Sequence, residues 1–112
     1  MIPKPSFLKI EDNWIKLTEE TIPDVQAQIL KQYFTKTKDM PDKLIQHLMT
    51  DSCYMSDNSF ATLLQGILSQ KDEKGNPRLQ TLIFTNGKLG PNSAKVITDL
   101  MPGIRELSIN NI

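Results

Sequence analysis

The sequence predicts an α/β fold in which strand–helix units follow one another through a single domain, residues 1–112, their strands side by side in a parallel sheet. Three observations predict it. A short apolar spacing recurs: Leu79, Leu82 and Phe84 are matched downstream by Ile104, Leu107 and Ile109, and upstream by Ile45, Leu48 and Thr50. Between the copies, the apolar period lengthens to that of a helix. The intervening strand positions are largely polar (His47, Met49 and Asp51; Thr81, Ile83 and Thr85; Glu106, Ser108 and Asn110). A sheet buried on both faces would instead want continuous apolar strands.

The elements follow in order. In the first unit, Leu8 and Ile10 take the places that Leu48 and Thr50 hold in the second, and Asn13 and Ile15 those of Cys53 and Met55. The outward positions of this strand are Lys9 and Glu11, with Asp12 at its exit. Trp14 falls just after Asn13, in the strand-to-helix turn, and reads as an anchor of the first unit, with an exposed contact residue as the alternative. The first helix is expected to present Ile22, Val25, Ile29, Leu30 and Phe34 on one face, with Thr18 as a candidate cap. Pro23 inside such a helix argues instead for a start near Ile22.

In the second unit, the strand around Leu48 is followed by Phe60, Leu63, Leu64, Ile67 and Leu68 at helical spacing. Ser56 is the expected N-cap, and Asp57 opposes the helix dipole. The third unit has its strand at Leu79–Phe84, a turn at Gly87, Gly90 and Pro91, and a helix carrying Ala94, Ile97, Leu100 and Met101. Met101-Pro102-Gly103 ends it. Ile104, Leu107 and Ile109 open a fourth unit. The units thus run over about 5–44, 45–78, 79–103 and 104–112. The surplus length lies in "TKTKDMPDK" and "SQKDEKGNPR", polar segments suited to surface loops. Length variation confined to one side of a repeat is the habit of a solenoid.

These positions resemble the leucine-rich repeat, L-x-x-L-x-L-x-x-N/C-x-L. Unit three supplies Leu79, Leu82, Phe84, Gly87 and Leu89; unit two Ile45, Leu48, Thr50, Cys53 and Met55; unit one Pro5, Leu8, Ile10, Asn13 and Ile15. A helix in each unit makes the chain similar to the ribonuclease-inhibitor-like type. The resemblance implies a solenoid of about three and a half units with the parallel sheet on its concave face. It also implies that Asn13 and Cys53 bond the backbone of their turns. Three positions depart from the pattern: Gly87 for Asn or Cys, Thr50 for an apolar residue and Pro5 for the first leucine. The competing architecture is an ordinary α/β domain whose sheet is covered on both faces, and the polar strand positions argue against it.

Composition narrows the function. Lysine plus arginine and aspartate plus glutamate number 13 each, so no net field draws the chain to nucleic acid or an anionic membrane. The one cysteine excludes an internal disulfide and suits a reducing, cytoplasmic setting. No stretch reaches the about 18 apolar residues of a membrane span. His47, Asp51 and Cys53 do not make a metal site, because four residues of strand span about 13 Å. The same distance separates His47 from Ser52 as a nucleophile pair. Glu11, Asp12 and Asp51 read as a solvated acidic row rather than an acid–base pair, and "TNGKLG" lacks phosphate-loop spacing. No catalytic residue, cofactor or metal is expected.

The function expected is therefore a non-enzymatic scaffold for a protein partner. Its contact stripe is Lys9, Met49, Ile83 and Ser108 in one row, Glu11, Asp51, Thr85 and Asn110 in the next, with Asp12, Ser52, Asn86 and Asn111 flanking and His47 nearby. Met49 and Ile83 are the apolar pair on which a hot spot would form. The alternative is a regulatory subunit or GTPase-activating protein of the Ran-activator type. It rests on fold analogy, with Arg105 as the candidate arginine. Leu107, Ile109 and Ile112 lie on a sheet edge, which is a liability unless covered. The expectation is that further repeats or another chain cover it, within a larger intracellular assembly of which a cytoskeletal or ciliary one is an example.

Overall fold

A computed structural model describes residues 4–110 of the chain. Four strands and three α-helices alternate: β1 (Trp14–Thr18), α1 (Asp24–Lys36), β2 (His47–Asp51), α2 (Asp57–Leu68), β3 (Thr81–Thr85), α3 (Pro91–Leu100) and β4 (Glu106–Asn110). The strands form one parallel sheet in the order β1-β2-β3-β4. Each strand pairs with the next in sequence, and every crossover of a parallel sheet takes the same hand. The helices therefore lie on one face, α1 against α2 and α2 against α3. Strand burial alternates accordingly: Ile15 and Leu17, Leu48 and Thr50, Leu82 and Phe84 are buried under the helices.

The register ties Ile15 to Leu48, Leu48 to Leu82, and Leu82 to Leu107. Strands two to four thus keep the expected alignment. The first does not: Leu8 and Ile10 are not its strand residues, and the true strand begins at Trp14. Ile15, in place of Leu8, is the residue opposite Leu48, so the first unit is shorter than its sequence reading and close in length to the second. Leu8 is nonetheless buried and Ile10 packs on the core, so the segment before β1 spends its apolar residues covering the core. It enters β1 through a tight turn, in which Glu11 and Trp14 exchange both backbone bonds at 3.2 and 2.8 Å. Asp12 and Asn13 at its centre are both left-handed, with φ of 53° and 65°, the pair of positive φ values that a type I′ turn uses.

Two backbone devices recur in register. Just before each strand, the carbonyls of Asn13, Gln46 and Gln80 each accept two N–H groups from the next strand's entry: Gln46 and His47, Gln80 and Thr81, Arg105 and Glu106. Just after β1, β2 and β3, Glu19, Ser52 and Asn86 are left-handed, at 57°, 56° and 55°, and donate to the carbonyls of Asp51, Thr85 and Asn110.

α2 buries the face its sequence reading gave it, Phe60, Leu63, Leu64 and Ile67, whereas α1 and α3 keep only part of theirs: Ile22, Leu30 and Phe34, and Ile97 and Leu100. α1 starts at Asp24, capped by the extended Pro23, because Thr18 is the last residue of β1. Its core face is Ala27, Leu30, Tyr33 and Phe34; Val25 is 68% exposed and Ile29 44%. α2 is capped by Ser56, whose hydroxyl oxygen accepts from the Ser59 N–H at 3.0 Å. As the middle helix it is buried over most of its surface, and its backbone touches that of α1 at Gly66, where a Cβ would lie 2.7 Å from Lys31 Cα. α3 buries Ser93, Val96, Ile97 and Leu100, whereas Ala94 and Met101 are exposed.

Candidate functional site: the open face of the sheet

The face of the sheet opposite the helices is built from alternate strand residues, and the register sorts them into rows. The entry row is Trp14, His47, Thr81 and Glu106; the middle row Lys16, Met49, Ile83 and Ser108; the exit row Thr18, Asp51, Thr85 and Asn110. The rows hold together most of the expected contact residues: His47, Met49, Asp51, Ile83, Thr85, Ser108 and Asn110 on the strands, with Asn86 at the exit of β3. Lys9, Glu11 and Asp12 are not among them. They stand before β1, where Lys9 and Glu11 pair at 2.9 Å, and Lys16 and Thr18 occupy the places assigned to Lys9 and Glu11. Glu19, in place of Asp12, is the strand-exit residue equivalent to Ser52 and Asn86. Asn111 lies outside the described residues.

Among the repeat positions, Leu48, Leu79, Leu82 and Phe84 are buried, and Ile104 and Ile109 pack partly on the core. The Asn13 side-chain amide donates to the carbonyls of Leu44 at 2.9 Å and Pro41 at 3.2 Å, in the loop that enters β2. The Cys53 Sγ lies 3.4 Å from the Leu17 carbonyl and 3.7 Å from that of Asp51, bonding backbone on two strands. Burial pushes its thiol above the ordinary value, which disfavours the reactive thiolate.

The entry row is aromatic. Trp14 stacks on His47 with centroids 4.6 Å apart, and the Nδ1 of His47 is 2.8 Å from the Thr81 hydroxyl. Lys16 places its ammonium 5.3 Å from the Trp14 ring centre, within cation–π range. Trp14 is thus a residue of the open face and not of the strand-to-helix turn; the slip of the first strand from Leu8 to Ile15 hides it along the sequence. In the exit row, Asp51 Oδ1 accepts the Ser52 hydroxyl and the Asn86 amide, each at 3.0 Å. Both donors are neutral, so they hold the carboxylate in place without cancelling its charge.

A second depression, a groove of about 910 Å³, follows the strand exits between Ile22 and Lys88, with Tyr54 standing 72% exposed beside it. Along its wall, Asp24 in the first turn of α1 reaches Ser56, Asn58 and Ser59 at the start of α2. Asp57, its equivalent one unit on, accepts the N–H groups of Gly90, Asn92 and Ser93 at the start of α3. Hydrogen bonds, led by those from Ser59 and from Ser93 respectively, hold both carboxyls below the ordinary 3.8. A sequence signal for this pair exists: Asp24 follows Ile15 at the same interval at which Asp57 follows Leu48.

Compared with protein-family models, with curated proteins and with solved structures, the chain matches none. The site must be read from its own chemistry. Among the described residues, no three His, Cys, Asp or Glu side chains converge as metal ligands, and no helix is long and apolar enough to cross a membrane. The face offers stacking surface, an apolar pair and one fixed carboxylate.

Proposed function

We propose that the chain is a non-enzymatic scaffold that presents the open face of its parallel sheet to a protein partner. One observation carries the reading. The face that no helix covers is not uniformly polar: Trp14, Met49 and Ile83 sit half-buried on three neighbouring strands, in adjoining positions of two rows. Aromatic residues and methionine are enriched where protein interfaces are desolvated, and a contiguous group of them means more than a single exposed apolar residue.

We also propose that the units are leucine-rich repeats of the ribonuclease-inhibitor-like type, stacked as a solenoid with this face concave. The in-register strand-entry carbonyls, the left-handed residue after each of β1, β2 and β3 and the Cys53 bond to the Leu17 carbonyl support that reading. The β4 edge is the second contact. Leu107 is 40% exposed, although its row-mates Leu48 and Leu82 are fully buried. Further repeats or another chain would complete this edge within a larger intracellular, cytoplasmic assembly, such as a cytoskeletal or ciliary one.

The test compares the wild-type chain with a Met49→Glu, Ile83→Glu variant as baits for chemical crosslinking in cells, after circular dichroism has matched their folds. A protein crosslinked to the wild type and lost from the variant is expected. Equal capture by both overturns the reading. Stimulation of a GTPase that depends on Arg105 would favour the regulatory alternative instead.

A further inference from the structure

We infer that the occupant of the open face is an α-helical segment of a partner laid across the strands, with an apolar side chain on Met49 and Ile83 and a lysine or arginine on Asp51. This rests on the proposed reading of the face as a protein-binding surface, and it adds the chemistry of what binds.

Spacing favours a helix. Neighbouring strands lie about 4.8 Å apart, so three strands span roughly 10 Å. Two turns of α-helix cover about 11 Å. A helix running along a row therefore places one side chain over each strand, at i, i+3 or i+4, and i+7. An extended segment in the same direction would advance about 3.3 Å per residue and fall out of step.

The rows supply the side-chain preferences. The middle row offers Met49 beside Ile83, two half-buried apolar residues on adjacent strands. Met49 adapts its shape to an aliphatic or aromatic anchor. The exit row offers a single charge: Thr18, Thr85 and Asn110 are neutral, and among the described residues no lysine or arginine forms an ion pair with Asp51. The bonds from Ser52 and Asn86 pre-orient that carboxylate, which reduces the ordering cost of a charge-assisted bond to a guanidinium or ammonium. The cation on the face, Lys16, is one row and one strand away, over Trp14. An acidic segment would therefore meet Asp51 repulsively, and a purely apolar one would leave its charge desolvated without a countercharge.

The test uses a phage-displayed library of random helical peptides, selected on the purified chain and read by fluorescence anisotropy of the enriched peptides. The expected peptides carry an apolar residue with a lysine or arginine one turn away. They lose binding to Met49→Glu, weaken about tenfold on Asp51→Asn, and weaken when proline is placed at their centre. Asp51→Asn keeps an acceptor for Ser52 and Asn86, so the fold is retained. Exchanging the charges, with Asp51→Lys against a peptide whose basic residue is changed to glutamate, restores affinity. Binding that needs Met49 but ignores Asp51→Asn, or survives the proline, overturns this inference and leaves the binding face standing. Binding indifferent to Met49→Glu, or no enriched peptide at all, overturns both.

Discussion

Asp57 and Ser93 are joined across two units: the carboxylate in the first turn of α2 accepts the backbone N–H of Ser93 in the first turn of α3 at 2.9 Å, and the Ser93 hydroxyl donates to the Asp57 carbonyl at 3.0 Å. One residue thus caps the helix that follows its own. Gly90 permits the approach, because a Cβ there would lie 2.5 Å from the Asp57 carboxyl carbon. Its backbone is extended, so the need is for space and not for unusual dihedrals.

This cap makes stability depend on acid. The carboxyls of Asp24 and Asp57 are held below 3.8 in the folded chain, so unfolding raises their proton affinity. The stabilisation is complete above the unfolded value and is lost as pH falls below it, toward the folded values. Asp57→Ala should lower the urea midpoint at pH 7, and the gap to wild type should shrink as pH drops through 3.8. A gap constant from pH 7 to pH 2 would show that the ionised cap contributes nothing.

Gln70 should be the costliest polar residue to remove. It is fully buried, its amide donates to the Phe34 carbonyl at 3.1 Å, and its carbonyl oxygen accepts the Ile45 N–H at 2.8 Å. It thereby joins the end of α1 to the chain entering β2. Gln70→Leu strands the Ile45 N–H and leaves the Phe34 carbonyl only the longer bond from the Thr37 hydroxyl at 3.4 Å, at a cost of about 1–3 kcal/mol. Equilibrium urea unfolding measures this.

Thr50 should gain from losing its hydroxyl. It is buried on the helix side of β2, and among the described residues its Oγ1 has no partner. Thr50→Val keeps the shape and should stabilise by about 1 kcal/mol in the same assay. Thr50 departs from the apolar residue that the repeat pattern wants, and its environment agrees with the pattern.

Gly66→Ala sets two effects against each other. Alanine favours helix by about 1 kcal/mol. Its Cβ, however, would press on the Lys31 backbone, 2.7 Å from Cα and 3.1 Å from the carbonyl oxygen, so α1 and α2 would have to part. Overpacking of this kind costs about 1–3 kcal/mol. A net loss of melting temperature is expected, and a gain would mean that the two helices separate freely.

The alternation of strands with helices, the polar outer face and the registers of the last three strands follow from the sequence by itself. Around Leu48, Leu82 and Leu107, a strand-like alternation gives way to turn residues or a chain end, and each pattern has a single good fit. Tertiary structure alone decided the first unit. Leu8-x-Ile10 and Ile15-x-Leu17 are equally good strand patterns, and which one pairs with β2 depends on contacts with a strand in the next unit, distant along the chain. The chain settles it by letting Leu8 seal the core and giving the ladder to Ile15 and Leu17. That slip from Leu8 to Ile15 removes Lys9, Glu11 and Asp12 from the face and brings Trp14 and Lys16 onto it. The Trp14–His47 stack and the fixed Asp51 were equally invisible along the chain, because each is made by side chains from different units that only strand pairing brings together.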